Sequence, residues 1–255
     1  MDAPHLIDQP AQAWKRAPIE GPETGPLVAT WLGRRPYREA WALQKRLAAE
    51  RADGRIPDQL LLLEHDRVLT LGRQADPSHV LASASDLAAR GIELIRVERG
   101  GEVTYHGPGQ LVAYPIVALS RRRLMVRPLV RALEAAMIET CAAFGVAAAP
   151  RDGQPGCWVD VDGAAPRKIG ALGIRIERGV SYHGIALNVD PDLSDFDLID
   201  ACGMPGVLST SIAVEAGRAA ERPSTDAVRR AADAFATAFA TRIGVELAGI
   251  TLGTD

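Results

Sequence analysis

Cys202 stands in Asp200-Ala201-Cys202-Gly203-Met204-Pro205, a turn-rich run with no periodicity to bury it. A loop thiol beside glycine can be approached by a substrate, and its thiolate is the nucleophilic form. A free cysteine has a pKa of about 8.5 and is mostly protonated near neutrality, so it needs a partner. Imidazole is one candidate. His106 in Tyr105-His106-Gly107 and His183 in Tyr182-His183-Gly184 share the order aromatic, imidazole, glycine. Lys168 is the other. The chain strongly prefers arginine, yet here lysine follows Arg167 at the head of an apolar segment. Arginine keeps its proton, whereas a desolvated lysine can give it up. Each residue also has a plainer reading: a surface thiol, a core histidine bonded to backbone, or a strand-edge charge.

The densest polar cluster is Arg99-Gly100-Gly101-Glu102-Val103-Thr104-Tyr105-His106-Gly107-Pro108-Gly109-Gln110. Glycine costs backbone entropy, so such crowding implies close approach of backbone to a ligand or another strand. The stretch reads as a loop between an alternating strand, Ile92 to Val97, and an apolar one, Leu111 to Val117. A polar loop held in this way is a natural place for a pocket. The remaining cysteines read as structural: Cys141 lies on an apolar helix stripe and Cys157 starts a strand.

Several elements must position these groups. Leu27 to Leu32 reads as a strand, and Pro36 opens a helix that runs to about Ala52, before Asp53-Gly54. Leu60 to Glu64 and Val68 to Leu71 read as buried strands, and Ser83 to Arg90 as a short helix. From Arg127 to Phe144, Leu129, Leu133, Met137 and Cys141 recur four apart, an amphipathic helix. Lys168 to Ile176 and Val180 to Val189 form two strands joined at Glu177-Arg178-Gly179. A last helix starts at Pro223-Ser224, with Val228, Ala232, Phe235 and Phe239 on one face. Hairpin-linked strands interleaved with helices predict an α+β fold with a mainly antiparallel sheet.

At 255 residues and 47% hydrophobic, the chain can bury a full core. A net charge of −3 argues against general nucleic-acid binding, and no apolar run reaches membrane-spanning length. Residues 1–26 are proline-rich and lack the apolar core of a secretory signal, so they read as a flexible leader before one domain at 27–255. Three cysteines without paired metal spacing fit a reducing, cytoplasmic compartment rather than a disulfide framework or a metal site.

Four blocks together resemble the octanoyltransferases of lipoate biosynthesis. They are Arg99 to Gln110, then Lys168-Ile169-Gly170-Ala171-Leu172-Gly173, then Ser181-Tyr182-His183-Gly184-Ile185-Ala186-Leu187-Asn188, then Ala201-Cys202-Gly203. Their order and spacing match, as do Pro36-Tyr37, Trp41 and Gln44, and the likeness runs from about Trp31 to Ile212. The resemblance implies a biotin/lipoate-ligase-like α+β catalytic domain. Its members carry octanoyl from acyl carrier protein to a lysine of lipoyl domains, those of 2-oxoacid dehydrogenase complexes and of the glycine cleavage H protein. Carried over by motif, Cys202 is the nucleophile and Lys168 lowers its pKa. Arg99, Gly100, Gly101, Glu102, Val103, Thr104, Tyr105, His106, Ala171, Leu172, Gly173, Gly184, Ile185 and Ala186 line the acyl pocket.

The implied chemistry is self-consistent. Thioester exchange is nearly neutral and amide formation is downhill, so neither ATP nor a cofactor is required. Lys168 can carry the proton that each half-reaction moves. Glycine backbone N–H groups can receive the oxyanion, and Leu71, Val103, Leu172 and Ile185 can hold an apolar tail. Arg121-Arg122-Arg123 with Arg127 is either a docking surface for an acidic carrier or a solvated helix approach. A monomer is expected, because the acceptor is itself a folded domain that must reach the thiol. Three rivals share the features: an ATP-dependent lipoate or biotin ligase, a non-catalytic acyl-binding module and a thioesterase. Cys202 and Lys168 favour transfer.

Overall fold

The structure, a computed structural model, describes residues 25–200, 206–217 and 225–253. Cys202 and the expected start of the last helix lie outside them. The main sheet is built from β1 (Leu27–Arg35), β2 (Gln59–His65), β6 (Gln110–Ile116), β7 (Ala149–Arg151), β8 (Gln154–Val159), β9 (Arg167–Glu177), β10 (Val180–Asn188) and β12 (Leu247–Leu252). Their spatial order is β12-β1-β2-β6-β10-β9-β8-β7, and β11 (Leu208–Ser209) pairs alongside β9. The sheet is antiparallel from β2 through to β7, and parallel where β1 meets β12 and β2. A second, three-stranded sheet orders β4 (Glu93–Arg96), β3 (Val68–Leu71) and β5 (Val103–His106). This is the mixed α+β architecture expected.

Two long helices, α4 (Val126–Ala143) and α6 (Thr225–Arg242), pack together against one face of the main sheet. The stripe Leu129, Leu133, Met137 and Cys141 is wholly buried there, with Val228, Phe235 and Phe239 of α6 and Leu60, Leu62, Leu111 and Leu187 of the sheet. Full burial of each such side chain stabilises by about 1.5–3 kcal/mol. Helix α1 (Tyr37–Ala52) starts after Pro36 and stops at Asp53-Gly54, where Gly54 takes a left-handed φ of 75°. It covers β6 and β10, burying Ala40, Gln44 and Ala48. Helices α2 (Ala84–Ala89), α3 (Leu119–Arg122) and α5 (Ile212–Glu215) are short.

Three expectations change. The glycine-rich stretch is not all loop: Val103 to His106 forms β5 and pairs antiparallel with β3. Cys157 lies within β8 rather than at its start, and is buried as expected. Arg122 is an internal residue. Its guanidinium bonds Asp58 Oδ2 at 2.7 Å and the Gly25 carbonyl, while Arg51 holds Asp58 Oδ1 at 2.5 Å. A buried carboxylate needs such partners, so Arg122 drops out of the basic surface around Arg121, Arg123 and Arg127.

Candidate active site

A cavity of about 450 Å³ lies over β9 and β10, walled by the 99–104 stretch, the β7–β8 turn and the first turn of α1. It gathers the three distant sequence blocks that fall within the described residues. Arg99, Gly100, Gly101, Glu102, Val103, Thr104, His106, Lys168, Ala171, Leu172, Gly173, Gly184, Ile185 and Ala186 all line it. Tyr105 and Leu71 do not. Both pack into the small-sheet cluster with Leu69, Leu87 and Val103, of which Val103 also borders the cavity, and Tyr105 borders a separate cavity near Gly109 and Asp190.

Glycines let the pocket wall close. Gly101 takes φ 88°, and the Gly100 N–H bonds the Ile174 carbonyl of β9 at 3.0 Å. A Cβ on Gly173 would meet the Gly100 carbonyl oxygen at 2.7 Å, so only glycine allows this contact. Arg99 is the buried peg of the loop. Its guanidinium donates to the Thr70 carbonyl at 2.6 Å and to Thr70 Oγ1 at 2.9 Å. The stretch is thereby pinned to both sheets.

Lys168 is almost wholly buried, and its Nζ lies 5.0 Å from the centre of the Trp158 ring. On its other side β11 runs parallel, with Ser209 opposite Lys168, and the Thr210 N–H bonds the Lys168 carbonyl at 3.0 Å. The chain that leads toward Cys202 from the N-terminal side is anchored too. The Asp200 N–H bonds the His79 carbonyl at 2.8 Å, and Ile199 bridges Val80. His79 Nδ1 in turn lies 3.1 Å from Oε2 of the pocket residue Glu102. Described residues on both sides of Cys202 are therefore tied to the pocket rim.

The opposite end of the cavity is polar, with the Arg99 guanidinium close to its rings. Tyr37, Tyr114, His106 and His183 line it. His65 Nδ1 donates to the Arg35 carbonyl at 2.9 Å, and its Nε2 accepts from the Tyr114 hydroxyl at 2.7 Å. His106 Nδ1 donates to Gln110 Oε1 at 2.8 Å. The Gln110 amide continues to Asn188 Oδ1, and the Asn188 amide to the Thr210 carbonyl. A buried polar chain thus joins the pocket floor to the strand beside Lys168. Burial favours the neutral form of all three imidazoles: it lowers His65 to about 4, His183 to about 3, and His106 well below its usual range. Burial also raises the Tyr37 and Tyr114 phenols.

His183 is held in an unusual conformation for a physical reason. Pairing of Ile185 with Ala113, and of Val180 with Ala118, sets it opposite Pro115. Proline has no N–H, so one ladder bond is missing there. The His183 N–H turns instead to Gln44 Oε1 at 2.7 Å, and the Pro115 carbonyl accepts from the Ser181 hydroxyl at 2.7 Å. His183 adopts φ 54°, in the left-handed region, at a cost of about 1–3 kcal/mol. The next residue must be glycine, since a Cβ on Gly184 would overlap the Ala113 carbonyl oxygen at 2.0 Å.

Tyr37, Gln74, Tyr114, Gly153, Gln154, Pro155 and Ile174 line the cavity without having been expected there. Only Tyr114 carried a local signal, as the one polar side chain in the apolar run before Pro115.

The chain matches the lipoyl protein ligase A/B catalytic domain family over residues 36–232. It is 51% identical over 194 residues to an octanoyltransferase of Chloroflexus aurantiacus, covering 76% of this chain and 86% of the relative. An octanoyltransferase of Corynebacterium efficiens is 43% identical over 222 residues, with 86% and 84% coverage. Among solved structures, lipoate-protein ligase A bound with ATP superposes with a TM-score of 0.62 at 17% identity, over 91% of this chain and 90% of that one. A bipartite lipoate protein ligase from Thermoplasma acidophilum gives 0.60 at 18%, over 91% and 88%. At these identities the likeness to the ligases is one of fold.

Proposed function

Because the chain belongs to the octanoyltransferases, acyltransferases of lipoate biosynthesis, we propose that it moves octanoyl from acyl carrier protein to a lipoyl-domain lysine through a thioester on Cys202. The acceptors are the lipoyl domains of 2-oxoacid dehydrogenase complexes and the glycine cleavage H protein. The observation that carries this reading is a buried lysine at one end of an apolar slot, with the chain on both sides of the cysteine tied to the same rim.

Lys168 takes the Cys202 proton, and the thiolate attacks the donor thioester carbonyl. The oxyanion collapses, the carrier thiol leaves, and Lys168 returns the proton to it. In the second half the acceptor amine attacks the acyl-cysteine, the Cys202 sulfur leaves, and the amine proton passes through Lys168 to that sulfur. N–H groups of the glycine-rich wall stabilise both oxyanions. Val103, Leu172 and Ile185 hold the tail, whose burial contributes about 0.8 kcal/mol per methylene. Residues 27–255 act as one catalytic unit, as a monomer in the cytoplasm. No helix among the described residues is long and apolar enough to cross a membrane.

Incubation with octanoyl-acyl carrier protein without ATP, followed by intact mass measurement, is expected to reveal one octanoyl adduct. The adduct should vanish in Cys202→Ala and pass to an added lipoyl domain. No adduct, or transfer that requires ATP, overturns the reading.

A further inference from the structure

Arg123, Arg127 and Arg131 form a basic ridge that the transfer chemistry leaves unused. All three are exposed, and none enters an ion pair or a side-chain hydrogen bond among the described residues. Arg123 closes α3, and Arg127 and Arg131 stand one turn apart on α4. Arg121 lies against Gly54 at the end of α1 and stays out of the ridge. Met125 and Val126, 73% and 47% exposed, sit between Arg123 and Arg127, and Met125 is the most exposed large apolar side chain among the described residues. Exposed apolar residues ringed by arginine are the composition of a protein-binding surface rather than of a solvated helix end.

The ridge leads to the site. At about 100° per residue, Arg127 and Arg131 fall within about 60° of Glu134 around α4, so the three share a flank. Glu134 Oε1 accepts the Gly156 N–H at 2.9 Å, and a Cβ on Gly156 would meet Lys168 Cε at 2.8 Å. Arg127 precedes Glu134 by two turns, so about 10 Å of helix separates it from that contact. Arg151 continues the ridge onto β7, the last strand of the main sheet, its guanidinium 5.1 Å from the centre of the Trp158 ring that also flanks Lys168. The turn that follows, residues 153–155, lines the cavity. Opposing charge on this flank is weak: Glu134 holds the backbone bond, Glu139 is taken by Arg242, and Asp152 is left.

We propose that Arg123, Arg127, Arg131 and Arg151, around Met125 and Val126, dock the acidic face of the acyl-carrying donor protein. The partner's identity rests on the proposed transfer. Four arginines concentrated on a chain of net charge −3 select an acidic partner and steer its approach. The ridge is set back from Lys168, so a partner that reacts through a group on its own surface must cover the cavity mouth instead. A carrier protein presents its thioester on a long flexible arm, which spans the gap past Arg151 while the protein body stays on the ridge.

Titration of the full chain with octanoyl-acyl carrier protein, in a Cys202→Ala background that stops turnover, tests the dock. Arg127→Glu should weaken carrier binding about tenfold, and Met125→Ser about threefold. Both side chains are exposed, so the unfolding midpoint should hold. Arg46→Glu makes the same charge change on the exposed face of α1 and should leave carrier affinity within about twofold. Affinity for a lipoyl domain should stay within about twofold in every variant. An unchanged carrier affinity in Arg127→Glu, equal weakening by Arg46→Glu, loss of lipoyl-domain binding in place of carrier binding, or no carrier binding with the ridge intact overturns the dock. Titration needs no turnover, so a missing Cys202 adduct with carrier binding intact would refute the transfer reading alone.

Discussion

In the proposed transfer Lys168 must be shielded from water and yet reach the Cys202 thiol. It is almost wholly buried, its Nζ lies 5.0 Å from the centre of the Trp158 ring, and it lines the cavity. Lys168→Arg separates charge from proton transfer, because arginine stays protonated. Transfer to a lipoyl domain should fall by about 100-fold in this variant, while alkylation of Cys202 near neutral pH slows less than in Lys168→Ala. Equal transfer by Lys168→Arg would mean that only the charge matters. Lys168 was legible in the sequence as a lysine in an arginine-rich chain. Tyr105 does not line the cavity: it packs into the small-sheet cluster against Phe196, a partner that residue type within a glycine-rich run does not reveal.

At the level of elements, backbone contacts hold the slot open at a defined width. Gly173 passes under the Gly100 carbonyl, and Arg99 locks that loop to β3. In Gly173→Ala the new methyl must push the 99–102 loop outward. The KM for the acyl donor should rise by about tenfold while the unfolding midpoint changes little, since the loop can yield and the α4–α6 core is untouched. An unchanged KM would show that the loop does not shape the acyl site. Helices α1, α4 and the described part of α6 were readable from four-residue spacing and from capping by proline and glycine. Strand β12 was not. Its burial alternates poorly and Gly249 interrupts it, so its strand character comes from parallel pairing with β1. The left-handed backbone at His183 was equally invisible: it sits opposite Pro115, which is remote in sequence and adjacent only across the ladder.

For the whole molecule, the neutral imidazoles couple stability to acidity. Their folded pKa values lie below the ordinary 6.5, so the unfolded chain binds protons first as pH falls. Stability is full above about 6.5 and is lost on descent toward about 4 for His65 and about 3 for His183, by up to about 1.4 kcal/mol per pH unit for each ring. The urea midpoint should therefore fall between pH 7 and 4.5, and less steeply in His65→Gln, which retains a partner for Tyr114. A flat midpoint in the wild-type chain would mean that the rings are not held neutral. The sequence by itself offered Cys202 and Lys168 as the pair we propose to react, and it determined the four blocks and most of the secondary elements, because side-chain type and hydrophobic periodicity are local properties. Only the tertiary structure decided which members of those blocks share a surface. It packed Tyr105 into the small-sheet cluster, withdrew Arg122 into a buried ion network and left the His183 ring without a hydrogen bond among the described residues. Those outcomes follow from strand register and from desolvation, and both are set by residues that meet only when the chain is folded.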